Sequence, residues 1–189
     1  MIAGRIPIDD LALLPFEGMP GPIVQALSAQ LEARGVRVRI APPVPLPDRA
    51  FVPRRGQYRA EPLLALVQGH GAPHVLGITH RDLFALGLNF VFGIAHCPGR
   101  ACVVSTARLL AGADEGLFLA RLVKEVTHEL GHTLGLDHCA TPGCVMYFSN
   151  SVADTDRKHD EFCDRCAARL RKLRSAGRRP AARAPADDR

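Results

Sequence analysis

The sequence predicts an α+β fold built as one domain, and three observations carry that prediction. Five strand-like runs alternate with helical segments, and the last two runs are joined closely enough to form an antiparallel hairpin. One long amphipathic helix follows that hairpin. The chain has 189 residues, enough to bury a single core, and shows no internal repeat.

Taken in order, "GRIPI" from Gly4 to Ile8 reads as a first strand. "PIVQALSAQLEARG" from Pro22 to Gly35 places Ile23, Leu27 and Leu31 on one helical face, with proline near its start and glycine at its end. "VRVRI" (Val36 to Ile40) alternates as a half-buried strand does. "APPVPLPDRAFVPRRGQY" is too rich in proline for regular structure and reads as a surface crossing. "AEPLLALVQG" predicts a second helix, and "HVLGIT" (His74 to Thr79) a buried strand. "NFVFGIA" (Asn89 to Ala95) and "ACVVST" (Ala101 to Thr106) flank the turn-forming "HCPGR" and predict the hairpin.

The long helix is expected from about Glu115 to Leu134, where Leu119, Leu122, Val123, Val126, Leu130 and Leu134 repeat at three and four. At 100 degrees per residue, His128 lies about 200 degrees and His132 about 240 degrees from Val126. One side of the helix therefore packs on the sheet while the other presents imidazoles.

Composition excludes several functions. Nearly half the residues are apolar and about a quarter are charged, which is ordinary for a globular chain. The net charge of +5 is concentrated from Arg165 onward, where eight Arg and one Lys stand against two Asp. That run reads as a solvated helix end and a disordered tail, and scarce aromatics without Trp argue further against a nucleic-acid partner. No apolar run approaches the roughly 18 residues of a membrane span, and "MIAGRIPIDD" lacks the apolar segment of a signal peptide. A cytoplasmic protein is expected, where six cysteines favour metal ligation over disulfides.

Two metal sites follow from spacing. His128 and His132 are i and i+4, so both rings can reach one ion, and Glu129 between them can act as general base on a metal-bound water. Gly135 can end the helix in a left-handed turn that brings His138 under the ion as third ligand. Three nitrogens leave a fourth zinc position open for chemistry. Downstream, Cys139, Cys144, Cys163 and Cys166 form C-x4-C and C-x2-C hooks separated by 18 residues, the pattern of a closed four-thiolate zinc site. Two disulfides or free thiols are the plain alternative. His70, His74, His80, His96 and His159 read as loop or surface residues, and Met146 as a core filler.

The extended HExxHxxGxxH motif, a Cys directly after its third His, C-x4-C-x-M and the distant C-x2-C together resemble the archaemetzincins. "VMYFSNSVADTDRK" and "LGLNFVFGIA" are similar to that family as well, so the resemblance covers at least residues 75–166. It implies a compact metzincin-like domain with a twisted mixed sheet, a backing helix, an active-site helix and a short zinc-stapled C-terminal subdomain. On that resemblance, His128, His132 and His138 bind a catalytic zinc and Glu129 is the base. The four cysteines bind a structural zinc, and Met146 lies beneath the site. Tyr147 follows that methionine too closely to be taken as a ligand. Cys97 and Cys102 carry no family role and read as plain thiols, with Cys97 placed where it could reach the ion.

The expected catalytic domain spans residues 1–174, divided into 1–135 and a C-terminal part at 136–174, with a basic tail at 175–189. Its expected activity is zinc-dependent hydrolysis of peptide bonds by a monomer carrying two zinc ions, with a peptide pairing along the edge strand at "NFVFGIA". Two rivals stand beside it: a zinc-binding regulatory or scaffold module of the same fold, and a nucleic-acid-binding zinc protein. The intact Glu129 argues against the first, and the second leaves the histidine motif unexplained.

Overall fold

Strand alternation divides the interior into two apolar faces. The computed structural model describes residues 6–177. Its main sheet has the order β2 (Arg37–Ile40), β1 (Asp10–Pro15), β5 (Val75–Thr79), β8 (Ala101–Ser105), β7 (Gly93–Ala95). The first four strands are parallel, and β7 runs antiparallel to β8 at the edge. Leu11, Leu13, Leu76, Ile78, Cys102 and Val104 point to one face, where helices α1 (Gly21–Ala33) and α3 (Glu115–Thr133) cover them. Ala12, Leu14, Val75, Ala101 and Val103 point to the other, under α2 (Ala60–Gly69). A smaller sheet, β3 (Phe51–Val52), β4 (Gln57–Arg59) and β6 (Leu83–Phe84), adjoins the second face.

Helix α3 carries the functional argument. Asp114 caps its start by accepting from the Leu117 amide at 2.8 Å. Phe118, Leu122, Val123, Val126 and Leu130 bury its stripe on the sheet, as the periodicity predicts. Gly135, at φ +90°, ends it in the left-handed conformation that glycine adopts without steric cost. Beyond it lie α4 (Val152–Arg157) and α5 (Asp164–Gly177), and a separate apolar cluster of Leu136, Val145, Met146, Leu170 and three cysteines.

Four elements differ from the sequence expectation, and the first is the edge strand, which is Gly93–Ala95 rather than the whole of Asn89 to Ala95. The first strand is Asp10–Pro15 rather than "GRIPI"; Ile6 and Ile8 are buried but not in a strand, and Gly4 and Arg5 lie outside the described residues. "DLALLP" is covered on both faces between two parallel neighbours, so it shows no alternation to read. The proline-rich crossing contains a 3-10 turn at Asp48–Ala50 and the short β3–β4 pair. Helix α5 continues to Gly177, three residues into the expected tail, and residues 178–189 lie outside the described residues. Among the described residues no helix is long and apolar enough to cross a membrane.

Candidate metal centres

The three histidines of the motif converge. One ring nitrogen from each of His128, His132 and His138 lies within 4.8 Å of the others. The Val145 carbonyl takes a hydrogen bond from His128 Nδ1 at 2.8 Å, and the Leu136 carbonyl takes one from His132 Nδ1 at 2.7 Å. A carbonyl can only accept, so both protons sit on Nδ1 and both Nε2 lone pairs face the cleft. Those two Nε2 atoms are 3.1 Å apart. Two acceptors held so close repel each other unless a cation sits between them, and neutral imidazole nitrogens suit zinc. Burial pulls all three rings below their ordinary pKa, His128 furthest, and the nearby Lys158 ammonium adds to the effect. Neutral rings are what metal ligation requires.

Glu129 is buried beside them. Burial pushes its carboxyl well above the usual range and the neighbouring Glu125 adds to this, while Lys158 works against it. Its side chain occupies space that only glycine leaves free on β7: a Cβ on Gly93 would stand 2.6 Å from Glu129 Oε1. On the opposite side, the Met146 thioether fills the place where a side chain on Gly131 would go, one residue before His132. A cleft of about 300 Å³ opens between α3 and the 88–95 segment, walled by Leu88, Phe90, Phe92 and Phe148 with Glu129 and the histidines at its base. The Phe148 ring meets His138 edge-on at 4.8 Å.

The four downstream cysteines also converge, with all four Sγ atoms within 4.8 Å and none in a disulfide. Cys139–Cys163 and Cys144–Cys166 are each separated by 3.8 Å between sulfurs. A tetrahedron of zinc–sulfur bonds of about 2.3 Å has edges of about 3.8 Å, so the set fits a closed zinc site. Desolvation raises the Cys139 thiol, but hydrogen bonds from Thr141 and Arg165 outweigh it and hold the group at about 6, where thiolate is available.

A family model described as peptidase family M54 matches residues 59–172. The chain is 53% identical over 135 residues to an archaemetzincin of Methanopyrus kandleri, across 70% of this chain and 77% of that protein. It belongs to the M54 peptidases, the archaemetzincins. A second relative, the archaemetzincin of Pyrococcus furiosus, is 37% identical over 180 residues, across 87% of this chain and 92% of its own. The crystal structure of the Methanopyrus kandleri archaemetzincin superposes with a TM-score of 0.78 at 42% identity, covering 93% of this chain and 98% of that one. An archaemetzincin structure from Archaeoglobus fulgidus gives 0.78 at 37% identity, covering 84% and 98%. Membership of M54 makes this chain a zinc metallopeptidase, a hydrolase whose substrate is a peptide or protein.

Several residues of this archaemetzincin fall outside the motif reading. Cys97 lines the cleft but donates to the Leu136 carbonyl at 3.4 Å and does not join the histidine cluster, while Cys102 is buried in β8. Tyr147 is exposed. Sequence reading missed the buried Glu125–Lys158 pair beside the centre. Its only local signal is a second glutamate one helical turn before Glu129, on the same face.

Proposed function

We propose that this archaemetzincin hydrolyses peptide bonds at a zinc held by His128, His132 and His138, with Glu129 as general base. A second zinc, held by Cys139, Cys144, Cys163 and Cys166, is structural. The observation that carries this reading is the convergence of three neutral imidazole nitrogens with a buried carboxylate at the base of one apolar cleft. When bound, zinc supplies a Lewis acid that polarises the substrate carbonyl and acidifies water. Strand β7 is the open edge of the main sheet, so an extended peptide can pair with it and lay its backbone over the histidines. Glu129 takes the proton of the attacking water and delivers it to the leaving amine. Its raised proton affinity suits both halves of that transfer. The four-thiolate zinc has no open position; its role is to fix the segment after α3, within a catalytic unit at residues 1–174 acting as a cytoplasmic monomer.

Two measurements test this. Metal analysis with X-ray absorption should find two zinc ions per chain, one in a nitrogen/oxygen shell and one in a sulfur shell. A single zinc, or mixed shells, would overturn the two-site assignment. Glu129→Gln should keep both metals and lose cleavage of a peptide library. Equal turnover by variant and wild type would remove Glu129 as the base, and no turnover by zinc-loaded wild type would favour a scaffold module.

A further inference from the structure

We propose that Glu125, Thr155 and Lys158 form a buried positioning device that sets the orientation of His128, a role that rests on the reading of His128 as a metal ligand. Glu125 is 3% and Lys158 2% exposed, and Lys158 Nζ stands 2.9 Å from Glu125 Oε1. The Thr155 hydroxyl, fully buried, donates to that same oxygen at 2.8 Å. Lys158 Nζ also donates to the Tyr147 carbonyl at 3.5 Å. One ammonium therefore joins helix α3 to the segment that runs beneath it.

That segment is what holds His128. The Val145 carbonyl, two residues before Tyr147, accepts the His128 Nδ1 proton. Glu125 and His128 are i and i+3 on α3, so they share a helix face; His128 meets the 145–147 segment directly through Val145, and Glu125 meets it through Lys158. The loop from Glu125 through Lys158 and Tyr147 to Val145 closes back on His128, three residues from its start. Thr155 and Lys158 come from α4 and its end, which thereby docks on α3.

Volume alone does not account for the pair. Burying two charges carries a desolvation penalty that apolar side chains of the same size avoid, and such replacements are often neutral or stabilising. What ammonium and carboxylate add is direction. Lys158 donates to Glu125 at 2.9 Å and reaches the Tyr147 carbonyl at 3.5 Å, and Glu125 receives two donors on one oxygen. Groups that orient a ligand's second nitrogen affect metal affinity about 10- to 100-fold.

Cobalt titration of the full-length, metal-free protein against a competing chelator tests the proposal. Visible d–d bands report the histidine site, and sulfur-to-cobalt charge-transfer bands report the four-thiolate site as an internal control. Lys158→Met should weaken cobalt binding at the histidine site 10- to 100-fold and leave the thiolate site within twofold. The double variant Glu125→Leu/Lys158→Met removes both charges, so it should regain the metal-free melting temperature. Its histidine-site affinity should stay at least tenfold down, with a shifted d–d spectrum. It also carries the test if Lys158→Met alone does not fold. A double variant that recovers wild-type affinity together with stability would show a purely structural pair and overturn the proposal, as would unchanged affinity in Lys158→Met. Wild type that binds no cobalt in a nitrogen/oxygen shell would instead overturn the assignment of the metal centre, and the positioning role with it.

Discussion

Replacing Gly93 with alanine perturbs the proposed base without touching a metal ligand. The new methyl would stand 2.6 Å from Glu129 Cγ and Oε1 and 2.7 Å from Cδ, whereas ordinary van der Waals contact begins at 3.4 Å. Glu129 is buried, so the clash is relieved by displacing its carboxylate by roughly 0.8 Å, the difference between 2.6 and 3.4 Å. A misplacement of about 1 Å in a reacting group costs about 100-fold in rate, or about 2.7 kcal/mol of barrier. The fold should tolerate the change: Gly93 does not have a positive φ, and alanine keeps its backbone hydrogen-bonding groups on β7. The assay is kcat and KM on a quenched peptide, with metal content and melting temperature measured on the same preparation. The expected result is a kcat down about 100-fold, two zinc ions retained, KM within a few-fold and a folded protein destabilised by no more than the about 1–3 kcal/mol that overpacking costs. A zinc-loaded Gly93→Ala enzyme with kcat within twofold of wild type would refute the placement of Glu129 as the base against β7.

Three further outcomes follow from the same geometry. Gly131→Ala would press a methyl into the Met146 thioether and to 3.0 Å from the Phe162 ring, an overpacking that should cost about 1–3 kcal/mol in urea unfolding; an unchanged midpoint would show that Met146 does not fill that gap. In the metal-free protein, burial holds His128 below its ordinary 6.5, so as pH falls the unfolded chain protonates first and stability is lost below about 6.5. His128→Gln should make that loss shallower by up to about 1.4 kcal/mol per pH unit, and equal slopes from pH 6.5 to 5 would contradict it. Cys139→Ser should abolish the four-thiolate site and also weaken metal binding at the histidines, and an unchanged histidine site in cobalt spectra would show the two centres to be independent.

What could be read from the chain was what its chemistry places close together. His128 and His132 share a helix face, and Cys139 with Cys144 and Cys163 with Cys166 are local hooks, so spacing alone gathers their side chains. The β7–β8 hairpin and α3 were legible for the same reason. What escaped depends on contacts distant in sequence. Thr155 and Lys158 reach Glu125 across some thirty residues because α4 docks on α3, and no period or spacing encodes that docking. The fit of Gly93 against Glu129 depends on a strand and a helix that the sequence places separately. Strand β1 escaped because central burial removes the alternation by which strands are recognised.

The adjacency of His138 and Cys139 explains why the two centres should act together. On the proposed assignment the helix would supply two ligands at no loop cost, and the short return after Gly135 would carry the third. Its one buried side chain is Leu136, whose carbonyl already orients His132. His138 itself is exposed, and its ring packs against Phe148 and against the His128 and His132 rings. What can fix it is the next residue. The Cys139 amide donates to the Met146 carbonyl at 2.9 Å, and its sulfur enters the four-thiolate cluster together with Cys144, whose carbonyl accepts from Tyr147. Met146 packs under Gly131, and Val145 beside it orients His128. A zinc clamping the thiolates, as proposed, would therefore fix both His138 after the helix and the carbonyl that aims His128 within it. Such coupling is reciprocal: whatever factor the thiolate zinc adds to affinity at the histidines, metal at the histidines must add to the thiolate site. On this reading the four-thiolate zinc staples the C-terminal segment and, in the same contacts, preorganises the catalytic centre.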